Sequence, residues 1–337
     1  MLKLKLLLED LEILNRRQAL IRKKDHILVG LSGGADSSVL LLLLTKLARK
    51  YRLRLAAAHL NHGLSGRPSR RYFETARDLA RKLRVPFYSK KVRVKAIAVK
   101  NKRCIEESGR IERYRFFESL AGKIGANKIA TAHHLDDQAE TLLMRLLRGS
   151  ALRGLGGIPC KRPQGRILVI RPLLNSQKKD ILACAKESKL RYCSDPSNRD
   201  LSFTRNRVRH VLLPHLAKVY NAKICSTLSN LQKVCSESQD FLEKEARNVY
   251  KNLRLKAKKP RAVRLKLRGL KRLHPALCRE VLLCAVAELK GDAKSLTRDH
   301  FEGMTDLLGS EEHGLETHLP QRITVLKNRS DLEFFKN

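Results

Sequence analysis

Compact apolar runs and amphipathic stretches take turns along the first two thirds of this chain. Residues 26–31 (His-Ile-Leu-Val-Gly-Leu) form an apolar run flanked by charge, the mark of a strand buried on both faces. Similar runs at 53–59, 86–94, 128–132 and 167–170 predict further strands. Helical spacing of apolar positions predicts helices over 39–50, 69–83, 106–124, 136–147 and 178–188. Another is predicted within 2–24, where Leu4, Leu7, Leu8, Leu11, Ile13 and Leu14 carry the period. Strands alternating with helices imply right-handed crossovers and a parallel sheet covered on both faces. The pattern changes near Leu213-Pro214-His215-Leu216. Beyond it, 224–250 and 273–289 read as helices, and the alternation of Ile323, Val325, Leu332 and Phe334 reads as a hairpin. The expected organisation is an N-terminal helix over 1–24, an α/β domain over 25–215, and a smaller, mostly helical domain with a short β end over 216–337.

Charge adds a partner class to this frame. The chain carries 71 Lys and Arg against 33 acids, a net of +38. Such a field attracts polyanions, either nucleic acid or an anionic membrane surface, unless it reflects a bias shared by a whole proteome. Residues 1–210 hold 47 basic and 18 acidic groups and residues 211–337 hold 24 and 15, so the excess coats the folded part rather than a tail. Two runs lack any acid: 81–103 with ten basic residues and 251–272 with eleven. Aromatics are sparse in the second, which favours phosphate and shape contacts over base stacking. Lys256, Lys258, Lys259 and Arg261 are the RNA-binding candidates there.

The longest apolar run is Val281 to Ala287, too short to span a bilayer. Charged Lys3, Lys5, Glu9, Asp10 and Glu12 interrupt the N-terminal apolar residues, so neither a signal peptide nor a membrane partner is expected, and the expected compartment is the cytoplasm. The eight cysteines show no C-x-x-C and no regular spacing, which predicts free thiols rather than a metal site.

The candidate chemistry begins at Ser32-Gly33-Gly34-Ala35-Asp36-Ser37-Ser38, between a predicted buried strand and a helix. A glycine-rich turn there lets backbone N–H groups converge on a phosphate, and the helix N-terminus favours negative charge. No Lys follows the glycines, so this is not the G-x-x-x-x-G-K-[ST] loop. A carboxylate inside an anion cradle makes sense if Asp36 holds Mg²⁺ that bridges to the phosphates. His59, Asn61 and His62 follow the second strand at the carboxyl edge of the sheet, where open α/β folds bind ligands. In His133-His134-x-x-Asp137-x-x-Glu140, the two acids share one helix face and Asp136 is the expected N-cap. Arg110 and Arg113 also share a face, and 204–210 is rich in arginine.

Together these segments resemble the N-type ATP pyrophosphatases, and within them the tRNA(Ile)-lysidine synthetases. The resemblance rests on the Ser32–Ser38 loop, His59-Leu-Asn61-His62-Gly63-Leu64, Glu107-x-x-Arg110-x-x-Arg113-Tyr114, Ala132-His133-His134-x-x-Asp137-Gln-x-Glu140-Thr141, Arg148-Gly149, Arg171-Pro172-Leu173, Asp195-x-Ser197-Asn198 and Arg205-Asn206-x-x-Arg209, in that order. It is strong over 25–215 and weaker beyond. It implies an adenine-nucleotide alpha-hydrolase-like (PP-loop) fold, ATP and Mg²⁺ as cofactors, and isoleucine tRNA with a CAU anticodon and free L-lysine as partners. It leaves open whether the chain forms a homodimer. By resemblance, Ser32 to Ser38 with His59 and Asn61 bind ATP. Arg113, Asp137 and Glu140 hold the lysine, Asp36, Asp137 and Arg205 serve catalysis, and Arg209 makes a structural or RNA contact. Asp137 is an alternative metal ligand. A tRNA-thiolating pyrophosphatase shares the first half-reaction and needs cysteines that the motifs do not contain; a catalytically silent tRNA-binding protein is the third reading.

Overall fold

The computed structural model describes residues 2–63, 67–194, 200–257, 261–291 and 296–336. They form two compact units, Met1–Val234 and Cys235–Asn337.

In the first unit the strands are β1 (His26–Gly30), β2 (Arg54–Asn61), β3 (Phe87–Lys91), β4 (Lys128–Ala130), β5 (Lys161–Gln164) and β6 (Ile167–Ile170). The helices are α1 (Leu2–Gln18), α2 (Ala35–Tyr51), α3 (Arg67–Lys82), α4 (Val94–Lys100), α5 (Ile105–Ile124), α6 (Leu135–Leu146), α7 (Leu152–Leu155), α8 (Lys178–Glu187), α9 (Thr204–Arg207) and α10 (Leu213–Val219). A π-helical turn, Val208–Leu212, joins the last two, and α11 (Ile224–Leu253) runs through the division between the units.

Sheet order is β3-β2-β1-β4-β6-β5, parallel throughout except for β5, which returns antiparallel on β6. The central strand β1 carries Ile27, Leu28 and Val29, all fully buried, as expected of a strand covered on both faces. One face packs against α1, α2 and α8 through Leu7, Leu11, Val39, Leu43 and Ile181. The other packs against α5 through Tyr114, Phe117 and Leu120. Gly30 sits where a Cβ would stand 2.8 Å from the Phe117 ring, so α5 approaches the sheet only over glycine. Both outer strands are blunted: β3 ends in exposed Ser89, Lys90 and Lys91, and β5 carries Pro163.

The second unit orders its antiparallel strands β7-β8-β11-β10-β9, where β7 is Arg254–Leu255, β8 Ala262–Lys266, β9 Glu316–Leu319, β10 Ile323–Lys327 and β11 Asp331–Lys336. Helices α12 (Leu267–Leu270), α13 (Pro275–Lys290) and α14 (Arg298–Gly309) share its core with Val263, Leu265, Val325 and Phe334.

Several elements depart from the sequence pattern. The predicted strand over 86–94 ends at Lys91, and α4 follows it. The expected terminal hairpin is β10–β11, and β7, β8, β9 and α14 extend that region. Where 216 was expected to open a second domain, the first compact unit continues to Val234. The reason is packing: Leu216, Ile224, Cys225 and Leu228 close an apolar cluster with Ala139, Leu143, Val208 and Leu213.

Candidate active site

The site gathers at the carboxyl ends of β1 and β4, where the chain turns to opposite sides of the sheet, the crevice in which open α/β folds place ligands. After β1, Ser32–Gly34 turns sharply into α2. Gly33 has φ +89, and a Cβ there would lie 2.5 Å from the Tyr72 carbonyl oxygen, so only glycine fits. Gly34 is the N-cap of α2 in extended conformation, with no side chain capping the first turn. Hydroxyls brace the loop from within: Ser37 Oγ accepts from Ser32 N at 3.1 Å, and Ser38 Oγ donates to Gly34 O at 2.9 Å. Ser32 N and Gly34 N are taken by Ser37 Oγ and Ser32 Oγ, at 3.1 and 3.2 Å, which leaves the uncapped first-turn amides of α2 as the donors suited to phosphate oxygens. The helix begins at Ala35, so Asp36 lies in its first turn rather than in a loop.

Asp36 is partly exposed, and Lys178 Nζ donates to its Oδ1 at 2.5 Å. Lys178 opens α8, and its backbone N–H donates to Asp136 Oδ2 at 2.8 Å. Leu135 N in turn donates to Ser176 O at 2.9 Å, so the segments after β4 and β6 are tied together beside the loop. A single hard carboxylate beside a helix start that attracts phosphate suits Mg²⁺, which keeps water and phosphate as its other ligands. The Lys178 ammonium already marks the spot as one that attracts a cation.

His134, not Asp136, is the N-cap of α6. Asp137 supplies the capping contact, its Oδ2 accepting from His134 N at 3.0 Å, while Asp136 is drawn away to Lys178 N. The His134 ring is buried with Nε2 4.0 Å from Asp36 and 3.5 Å from Asp137, and Nδ1 3.5 Å from Asp136. Burial pushes its pKa down, but Asp136, Asp137 and Asp36 outweigh this and raise it. Burial likewise opposes ionisation of Asp137, and the positive charges of His134 and Arg205 outweigh it, holding that carboxyl below its ordinary range. His133 differs: burial first, then Arg171, Arg205 and Arg110, depress it to about 4, so its ring is neutral at pH 7. Its Nδ1 lies 3.0 Å from Thr131 Oγ1.

Asp137 and Glu140 share one face of α6, as their spacing predicts, and both are buried. Two arginines cover them. Arg205 donates through Nη2 to Asp137 Oδ1 and through Nε to Glu140 Oε2, both at 2.7 Å. Arg209 donates through Nε to Glu140 Oε1 at 2.5 Å and through Nη2 to Glu140 Oε2 at 3.0 Å. The π-helical turn lies beside this pair. The Arg209 guanidinium is turned to the carboxylates, with the side chain 32% exposed.

The remaining expected residues sit around this centre. His59 is buried, its Nδ1–H donating to Leu31 O at 2.9 Å and its ring packed between Phe73 and Phe87. In this position it braces Leu31, the residue that leads into the loop. Asn61 Oδ1 accepts from Gly63 N and Ser69 Oγ, at 2.9 and 2.7 Å, and so shapes the turn after β2. Arg113 is exposed and donates to His62 Nε2 at 3.3 Å. As guanidinium is always a donor, His62 is neutral with its proton on Nδ1, in keeping with a pKa depressed to about 4 by burial and Arg113. Asp195, Ser197 and Asn198, like Lys258 and Lys259, lie outside the described residues. Arg171 is fully buried and donates to Pro159 O at 2.5 Å.

Two contacts had no counterpart in the sequence reading. One is Lys178, whose signal was a lysine at a helix start, where the backbone dipole disfavours it. The other is Cys193, whose N–H donates to Gly33 O at 2.9 Å and whose Sγ lies 3.3 Å from Thr75 Oγ1. All eight cysteines are free, and among the described residues no three His, Cys, Asp or Glu side chains form a metal-holding group. Nor, among those residues, is any helix long and apolar enough to cross a membrane.

The family model described as "PP-loop domain" matches residues 5–216. A tRNA(Ile)-lysidine synthase of Geobacter sulfurreducens is 33% identical over 327 residues, 97% of this chain and 68% of that protein. One from Clostridium acetobutylicum is 37% identical over 235 residues, 70% of this chain and 50% of that protein. The matches thus span from half to about two thirds of the relatives' length. Among solved structures, the U34-tRNA thiolase NcsA of Methanococcus maripaludis, with its [4Fe-4S] cluster, aligns with a TM-score of 0.58 at 17% identity, covering 68% of this chain and 79% of that one, a likeness of fold.

Proposed function

This chain belongs to the PP-loop family and, within it, to the tRNA(Ile)-lysidine synthases, and we propose that it ligates free L-lysine to the wobble cytidine of isoleucine tRNA bearing a CAU anticodon. The observation that carries this reading is that an uncapped, glycine-turned helix start lies beside a buried pair of carboxylates, with His134 Nε2 4.0 Å from Asp36 and 3.5 Å from Asp137. The first suits a triphosphate and the second an ammonium group.

The reaction runs in two steps. Cytidine O2 attacks the α-phosphorus of ATP, the bond to the bridging oxygen breaks, and pyrophosphate leaves. The ε-amine of lysine then attacks C2, and AMP leaves with O2. Adenylylation solves the leaving-group problem, since a carbonyl oxygen departs poorly. The uncapped first-turn amides of α2, from Ala35 on, would face the charge that develops on pyrophosphate. Asp36 would hold Mg²⁺, which supplies further charge stabilisation there. The Lys178 ammonium, which stands beside Asp36, would add a second positive charge next to the phosphates.

Asp137 and Glu140 receive the lysine ammonium in exchange for Arg205, which then faces the phosphate or the lysine carboxylate. Asp137, held ionised by its neighbours, is a strong ammonium ligand and a weak base, so proton removal from the amine falls to another acceptor, such as the departing phosphate. Thiolation is set aside because it requires reactive or cluster-binding cysteines, and only the backbone of Cys193 is joined to the loop. The cytoplasm is the compartment in which the free thiols and the tRNA substrate coincide.

The test is incorporation of labelled lysine into purified transcripts with ATP. The expected result is lysine-dependent AMP release with the CAU isoleucine transcript and none with a methionine transcript. Release independent of lysine would overturn the reading.

A further inference from the structure

The acid-free basic run over 251–272 is not uniform once folded. Arg254 pairs with Glu288 at 2.5 Å. Arg264 makes a two-pronged contact with Asp331, Nε to Oδ2 at 2.9 Å and Nη2 to Oδ1 at 2.8 Å. Those charges are neutralised inside the protein. Arg268, Lys271 and Arg272, on and just after α12, have no acid within ion-pair reach among the described residues. The turn between β10 and β11 brings a fourth cation, Arg329, beside them, because Leu267 N donates to Ser330 O at 2.9 Å. These four cations, with Leu267 and Ser330, line an open surface depression of about 360 Å³. Asp331, the nearby acid, is buried and committed to Arg264 and Asn328, so it cannot act as their counter-ion.

Four like charges around one depression repel each other unless an anion joins them. The side chains come from two segments far apart in sequence, which distinguishes the cluster from a simple charged face of one helix. The depression has no aromatic wall, so it is not built to stack a base. We propose that Arg268, Lys271, Arg272 and Arg329 form a phosphate-binding pocket for the ribose-phosphate backbone of tRNA. The proposal rests on the reading of the chain as a tRNA-modifying enzyme and replaces the expected emphasis on Lys256 and Arg261. Lys256 is exposed outside this depression, with its carbonyl bound by Arg264 Nη1 at 3.1 Å, and Arg261 sits at φ +59 in an exposed turn.

The test measures tRNA affinity against salt for the full chain and two quadruple alanine variants. One replaces Arg268, Lys271, Arg272 and Arg329; the other replaces exposed Arg16, Arg17, Arg22 and Lys23, removing the same charge elsewhere. The first should weaken binding at least about tenfold near physiological salt and lower the slope of log affinity against log salt by about three to four. The charge-matched variant should change the slope by less than about one. Arg329→Ala alone, on an exposed turn, should lower it by about one, and ATP affinity should be unchanged throughout. Wild-type affinity and slope in the first variant, or an equal loss in the charge-matched one, would overturn the pocket. Wild-type protein that fails to bind tRNA at all would instead overturn the underlying reading.

Discussion

Lys178 places a positive charge at the start of α8, and its pairing with Asp36 offsets what the helix dipole costs there. Lys178→Met should therefore leave the fold and tRNA affinity intact while slowing pyrophosphate release by roughly 10²-fold, the scale of losing one preorganised contact to developing charge. Stopped-flow pyrophosphate release checks this; an unchanged rate would make Lys178 a purely structural partner of Asp36. Glu140 occupies a different place in the sequence of events. It is nearly fully buried and binds both Arg205 and Arg209, so Glu140→Gln removes charge from the ammonium-receiving side. The lysine step should fall more than adenylylation, so adenylylated tRNA should accumulate and be visible on an acid gel. The Ser32–Ser38 loop and the Asp137/Glu140 pair were legible in the sequence because each lies within a few residues and one helical period. Lys178 and Cys193 were not, since their contacts with Asp36 and Gly33 join segments separated by more than a hundred residues. Arg209 was legible as a basic residue but not as a carboxylate partner, because only the fold brings it to Glu140.

At the scale of elements, β4 is short, yet it anchors the segment that leads to α6. Its first residue, Lys128, is buried and donates to Asp25 Oδ2 and Leu20 O, both at 2.6 Å, while Asn127 Nδ2 reaches Asp25 Oδ1 at 2.8 Å. This fixes β4 against the residues that precede β1. Lys128→Met would leave the Asp25 carboxylate buried with one hydrogen-bond donor fewer and no counter-charge. It should cost about 3–5 kcal/mol of unfolding free energy, read by urea denaturation. Replacing both partners with apolar residues should recover most of it. The sequence pattern located β1, β2, β4 and β6 because each is a run of buried side chains. It missed the edge strands β5, β7 and β9, which have little buried apolar surface because an edge strand needs only one neighbour, and it missed β8, whose short buried run lies within a basic stretch. It extended β3 too far because the apolar residues of α4 continue the run, and periodicity over so few residues does not separate strand from helix.

For the whole molecule, net charge acts on encounter before any contact forms. A chain of +38 attracts RNA at long range, and the rate of that approach falls as salt screens it. The α/β alternation was legible over the first unit, whereas the end of that unit was not. A break in strand–helix alternation near 216 is a local signal, but the boundary is set by where apolar contacts cease, within α11. The blunted outer strands of the sheet bear on how the protein behaves in company. A twisted sheet with an open ladder on each side is a template on which further chains can align and polymerise. On one side, Lys90 and Lys91 force any arriving strand to meet like charge; on the other, Pro163 removes an amide that such a ladder requires. Crowded, newly made copies are thereby steered away from amyloid-like growth while they search for their RNA.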